Sequence, residues 1–250
     1  MSRFVSIGEI REAKGLRMAV LREIPSPWTE AAKGIFHAKG LDCLYGAQAE
    51  SDPPQAVAHH YGNSSVPVVL FDNEKPRTGW AEILILAERL SDSAPLIPDD
   101  AEDRADLFGI AHEICGEMGL GWAYRLVMIG DTTRGAFPAG VTRYLGGKYG
   151  QNPVHAESAH RRVASILRML SKRLEQSDYL VASQLTAADI YWASFANMFI
   201  PLPESLMKTT PMIRSAYSCQ DERLLGAISS RLAAHQRRIY DQFLELPVQL

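Results

Sequence analysis

The stretch LRMAVLREIPSPWTEAAKGIFHAK, residues 16–39, sets the reading of the fold. Its first seven residues mix apolar and basic positions over the length of a strand, and Pro25, Ser26 and Pro27 stop it. Trp28, Ala31, Ala32, Ile35 and Phe36 then recur at helical spacing, with Ser26 at the N-cap and Pro27 at the first helical position. The helix ends before Gly40. A strand that runs through a proline turn into a helix is the first half of a βαβ unit.

The pattern continues downstream. Residues 41–45 read as a second strand, 54–61 as a short helix and Val66-Pro-Val-Val-Leu-Phe71 as a buried third strand. The polar turn Asp72-Asn-Glu-Lys75 lets a short strand at 76–78 pair antiparallel with the third, ahead of an apolar helix over 80–90. The resulting order, βαβαββα, is thioredoxin-like. The segment SDSAPLIPDDAED, residues 91–103, is rich in proline, serine and acid and reads as a linker running into an acid-rich helix start. Beyond it the periodicity predicts helices over 104–128, 154–175, 186–199 and 221–244, with a glycine-rich interruption at 131–152 and no strand. The expected architecture is α/β plus all-α: a thioredoxin-like domain over 1–94 with a short N-terminal extension, a linker over 95–103 and an all-helical domain over 104–250.

Composition narrows the class. The 250 residues are 46% apolar and 22% charged, enough for full hydrophobic cores and unlike a disordered chain. The 26 basic and 29 acidic side chains are interspersed and sum to −3, so no field gathers polyanions and nucleic acid is not an expected partner. Cys43, Cys115 and Cys219 are far apart, odd in number and without a CxxC pair, which argues against a disulfide framework and for a reducing cytoplasm. The first fifteen residues carry charges throughout, unlike a signal peptide, and no apolar run approaches the ~20 residues of a membrane span. A soluble, cytoplasmic protein is expected.

Other candidates for chemistry weaken on inspection. His59, His60, His112, His155 and His160 have no metal-ligand spacing, so no metal site is expected. Gly146-Gly-Lys-Tyr-Gly150 lacks the Walker spacing and reads as a flexible turn. The last helix, with Arg231, His235, Arg237 and Arg238, reads as a solvated amphipathic end. In Leu185-Thr-Ala-Ala-Asp-Ile190, Thr186 and Asp189 stand at capping-box spacing with Leu185 and Ile190 as a hydrophobic staple. The box explains Asp189 without a catalytic role.

Ser26-Pro-Trp-Thr29 with Lys39-Gly40, Val66-Pro67, Pro95-Leu-Ile-Pro98 ahead of Arg104-Ala105, and the capping box together resemble, in order and spacing, the cytosolic glutathione transferases over most of the chain. The resemblance implies that Ser26 contacts the glutathione sulfur, where a hydroxyl donor at the positive end of a helix favours the thiolate. A simple helix cap accounts for the same serine, and Thr29 is the reserve hydroxyl. Val66-Pro67 resembles the family's cis-proline dipeptide, whose backbone groups bind the cysteinyl part of glutathione; a trans proline opening a strand is the plain alternative. Gly79 and Trp80 fall where the family carries an acidic residue or Gln followed by Ser to hold the γ-glutamyl group. Only their backbone N–H groups remain to face its carboxylate. Trp28, Phe108 and His112 are substrate-pocket candidates, although aromatics at helical spacing are also ordinary core. The implied activity is transfer of the glutathione thiolate, glutathione being co-substrate, to a small hydrophobic electrophile in the interdomain cleft of a homodimer. The alternative, motivated by Trp80, is a non-catalytic binding or assembly protein that keeps the body and has lost standard glutathione binding. A thiol–disulfide oxidoreductase is disfavoured because no cysteine heads the first helix.

Overall fold

The computed structural model describes residues 4–48, 65–130 and 137–250. Strand β2 (Leu16–Leu21) is buried over all but its last residue and leads into helix α2 (Pro27–Ala38), as the opening stretch predicts. It lies inside a sheet of order β1-β3-β2-β4, parallel to β3 (Leu44–Gln48) and antiparallel to β4 (Val68–Phe71). Helix α3 (Trp80–Leu90) follows with the predicted bounds. The helix expected at 54–61 lies outside the described residues.

Two expectations for this part need correcting. The first fifteen residues are not a mere extension: β1 (Phe4–Ser6) adds an edge strand parallel to β3, and helix α1 (Glu9–Glu12) follows it. Ile10 of α1 sits directly on Gly46 of β3, where an added Cβ would lie 2.5 Å from the Ile10 Cδ1. A side chain there would lift α1 off the sheet. The strand expected at 76–78 is reduced to one antiparallel bridge, Arg77 to Val69, with N–H···O distances of 2.8 and 2.9 Å.

The remainder is helical, as expected, with differences that trace to glycine and to capping. Helix α4 (Ala101–Cys115) begins earlier than residue 104 because the Asp100 carboxylate caps the Glu102 and Asp103 N–H groups at 2.9 and 3.0 Å. The single helix predicted over 104–128 is two, broken between α4 and α5 (Leu120–Gly130). Gly119 makes that break close: a Cβ there would lie 2.7 Å from the His112 carbonyl oxygen. The supposed interruption at 131–152 carries helix α6 (Ala139–Tyr149); Gly146 and Gly147 are inside it, and Gly150 ends it at φ +68°. The GGKYG sequence is therefore a helix end, not a loop.

Helices α7 (Pro153–Arg173), α8 (Ala187–Ala196), α9 (Pro211–Tyr217), α10 (Glu222–Leu225) and α11 (Ser230–Phe243) complete the chain. The predicted end helix is split at Gly226. Every residue of α8 is buried, and its start is held by Asp189. One carboxylate oxygen accepts the Thr186 N–H at 2.9 Å and the Thr186 hydroxyl at 3.0 Å. The other accepts the Leu180 N–H at 2.9 Å and lies 3.0 Å from His235 Nε2. His235 is thus a buried partner of the cap, not a solvated residue of the end helix. No helix among the described residues is long and apolar enough to cross a membrane.

Because the Asp189 carboxylate satisfies four groups that are otherwise buried without partners, Asp189→Ala should lower unfolding stability by about 3 kcal/mol or more. Urea denaturation measures this directly, and a midpoint equal to that of the parent would show that the cap does not hold α8.

Candidate functional site

Ser26 occupies the N-cap of α2 in extended conformation, and its hydroxyl makes no capping bond. Its N–H donates to the Ile24 carbonyl and its carbonyl accepts the Glu30 N–H, both at 2.8 Å, so the backbone alone holds the helix start. The half-buried hydroxyl has no hydrogen-bond partner among the described residues. Thr29, one turn on, is buried at 2% exposure with its Oγ1 likewise unpartnered among them. Two uncommitted hydroxyls therefore stand in the first turn of α2, beside its unpaired N–H groups.

Val66-Pro67 is a cis peptide bond. It immediately precedes β4, whose ladder with β2 ends at the Ala19–Val68 pair, so the Val66 backbone groups are not used by that ladder. The antiparallel register puts this dipeptide at the end of the sheet from which β2 leads toward Ser26. The sequence-predicted sulfur and cysteinyl contacts thus share one sheet end.

A cleft between the sheet and the helices lies along the inner face of α2. Its walls are Trp28, Ala31, Ala32 and Ile35 of α2, Pro67, Thr78, Trp80 and Ile83, and from the helical side Cys115, Tyr191 and Phe195. The remaining cavity is only about 10 Å³, the space of a single water. Two indoles account for the filling. Trp28 donates its N–H to the Cys115 carbonyl at 2.9 Å, meets Phe195 edge-on at 5.0 Å and lies 6.4 Å from the Tyr149 ring. Trp80 meets Tyr191 edge-on at 5.7 Å and Phe108 at 6.2 Å, and its carbonyl accepts the Tyr191 hydroxyl at 3.3 Å. Each indole crosses from one side of the cleft to the other.

At the head of α3 the Gly79 N–H donates to Glu82 Oε2 at 3.3 Å. The chain's own carboxylate therefore occupies the helix N-terminus that the sequence offers to a γ-glutamyl carboxylate. Of the predicted pocket residues, Trp28 lines the cleft and Phe108 reaches it through Trp80. His112 does neither: it is exposed on α4, with its ring against Gly116. Cys115, expected on the pocket side of the first helix of the second domain, lines it too; Tyr191 and Phe195 were not foreseen, since they come from α8, far away in the chain. Glu82 carried a legible signal, being three residues after the helix-opening glycine. A second, open groove of about 380 Å³ lies at the other end of α2, beside His37, Pro95, Leu185 and Asp241, and holds none of the predicted site residues.

The arrangement matches known proteins in two ways. Residues 136–215 match the family described as glutathione S-transferase, C-terminal domain. A glutathione S-transferase from Methylobacillus flagellatus KT, solved with glutathione bound, superposes with a TM-score of 0.64 at 17% identity, covering 91% of this chain and 96% of that one. The chain thus has the glutathione S-transferase fold, and its residues 136–215 match that family's C-terminal domain. The β-etherase LigF from Sphingobium sp. strain SYK-6 superposes at a TM-score of 0.61 and 17% identity, covering 91% of this chain and 95% of that one. Rice GST1 in complex with glutathione gives 0.58 and 19%, covering 94% of each chain. No curated protein sequence matches the chain.

The cleft also holds a thiol, that of Cys115. Burial pushes the Cys115 thiol well above its ordinary range, and burial does the same to the Tyr191 phenol. The seat of Trp28 depends on Gly121 of α5, where an added Cβ would lie 2.3 Å from Phe195 Cε1 and 3.0 Å from Trp28 Cη2. Gly121→Ala should destabilise the fold by about 1–3 kcal/mol and alter the near-ultraviolet circular dichroism of the indoles. Retention of both the parent spectrum and the parent urea midpoint would show that this contact is slack.

Proposed function

We propose that the chain binds a glutathione-type thiol at the head of α2 and transfers its thiolate to a small hydrophobic electrophile in the cleft. The observation that carries this reading is the uncommitted Ser26 hydroxyl. A serine at a helix N-cap ordinarily spends its hydroxyl on the backbone, and this one does not. Placed at the positive end of the helix, it is a donor ready for an anionic sulfur. The cysteinyl backbone of the thiol would pair with the free groups of Val66 before Pro67, as an added strand does. In the reaction the thiol proton leaves to solvent, the sulfur forms a bond to the electrophilic carbon, and the leaving group departs with its bonding electrons. Ser26 and the helix stabilise the thiolate and do not attack; holding both reactants in one cleft supplies proximity.

On this reading residues 1–94 bind the thiol, 95–103 link, and 104–250 supply the acceptor side, with Trp28 and, through Trp80, Phe108 in its wall. The protein works in the cytoplasm as a homodimer. The glutathione fit is good at the sulfur and poor at the γ-glutamyl end. There Glu82 holds the Gly79 N–H and Trp80 occupies the cleft, so affinity rests on the cysteinyl contacts and Thr78 is the hydroxyl nearest in the chain. The same feature favours a second reading, a non-catalytic binding or assembly protein that retains the body without standard glutathione binding.

Two measurements separate these readings. Millimolar glutathione should raise the melting temperature of the transferase, and absence of a shift would favour the binding protein. Ser26→Ala should lower the conjugation rate by roughly a hundredfold and leave the melting temperature unchanged, because no capping bond is lost. A destabilised variant with an undiminished rate would assign Ser26 to the helix alone. Trp80→Ser should tighten glutathione binding by titration calorimetry; weaker binding would make Trp80 part of the thiol site.

A further inference from the structure

The open groove at the far end of α2 has a volume of about 380 Å³, against roughly 300–1,000 Å³ for sites that hold small molecules. Two helices end at it: His37 and Ala38 are the last residues of α2, and Asp241, Gln242 and Phe243 the last of α11. The N–H groups that close α2, those of Lys39, Gly40 and Leu41, go to the carbonyls of Ile35, His37 and Phe36, and the Leu244 N–H goes to that of Tyr240. The Ala38, Gln242 and Phe243 carbonyls are left without a partner among the described residues. Carbonyls left over at a helix end carry the negative pole of its dipole.

The side chains add to this polarity. Asp241 is the one acid among the described residues that line the groove, and none of them is a lysine or arginine. One Asp241 oxygen accepts the Arg237 Nε–H at 2.8 Å, and the other has no partner among the described residues. The last turn of α11 thus carries an acid and no base, the reverse of what the dipole favours. Lys39, next to Ala38, does not line the groove: its buried ammonium is committed to Glu88 and to the Ser93 and Ala94 carbonyls at 3.1, 3.1 and 3.2 Å. Pro95, Leu185 and Phe243 make the rest of the lining apolar.

We propose that this groove binds a small primary amine with an apolar body, the ammonium held at Asp241 and the two helix ends and the body laid on Pro95, Leu185 and Phe243. An ammonium brings three donors and no acceptor, which suits a lining of carbonyls and a carboxylate oxygen. The groove shares no lining residue with the cleft at the head of α2, so the site stands apart from the transferase reading.

The test titrates the full chain with phenethylamine, phenethyl alcohol and phenylacetate, alike in shape and different in charge, by calorimetry. The amine should bind roughly tenfold more tightly than the alcohol, the worth of one hydrogen bond to a charged group, and the acid should bind least. Ala94→Trp, at an exposed position of the wall, should fill the groove and abolish amine binding, whereas Asp241→Asn should reduce the preference for amine over alcohol severalfold. If Ala94→Trp does not fold, Gln184→Trp, exposed on the same groove, decides in its place. Millimolar glutathione should leave amine binding unchanged. No binding of the amine, equal binding of amine and alcohol, a preference that the groove-filling variant or Asp241→Asn leaves intact, or displacement of the amine by glutathione overturns the site.

Discussion

The carboxylate of Asp189 is the constraint on which the site depends. Its two oxygens tie the Leu180 and Thr186 N–H groups, the Thr186 hydroxyl and His235 to the first turn of α8. That helix has no exposed face, so its axial position and rotation are set by packing from all sides and by where its cap starts it. Tyr191 and Phe195, which hold Trp80 and Trp28, are its fifth and ninth residues, one turn apart. Ile190 packs against α2 at Gly34, where an added Cβ would lie 2.9 Å from Ile190 Cγ2. The start of α8 therefore fixes both the helix that carries Ser26 and the rings that close the cleft beneath it.

What was legible in the sequence was local. The proline turn before α2, the bounds of α3 and the Thr186–Asp189 box are each written within a few residues, and each stands where the spacing puts it. Three features escaped because their causes lie far away in the chain. A three-residue edge strand at 4–6 carries too little periodicity to announce itself and exists because β3 offers an open edge. Glycines at 146 and 147 argue against a helix by propensity, yet both lie inside α6, which runs on to Gly150. His235 sits among arginines on the last helix, and nothing local distinguishes it from them; its partner is 46 residues upstream.

The site was legible in the same uneven way. Ser26, Pro67 and Trp80 were singled out because a motif marks each, but the sequence left open what the Ser26 hydroxyl does. The structure leaves it uncommitted at the cap while the backbone does the capping. The γ-glutamyl end is the reverse case: the loss of a serine at position 80 was plain, whereas the occupation of the Gly79 N–H by Glu82 needed coordinates. The two ends of the proposed thiol site thus differ in kind. One presents an unused donor at a positive helix end, and the other is closed by the chain's own anion and by an indole braced on Tyr191.

This difference makes the ionisation of a bound thiol the central quantity. The ultraviolet absorbance of the thiolate, followed as glutathione is titrated into the protein at a series of pH values, measures it directly. The account predicts that bound glutathione ionises well below the ordinary thiol value of about 8.5, and that the displacement disappears when Ser26 lacks its hydroxyl. A saturable complex whose thiol ionises at its ordinary value, with or without the Ser26 hydroxyl, would contradict it.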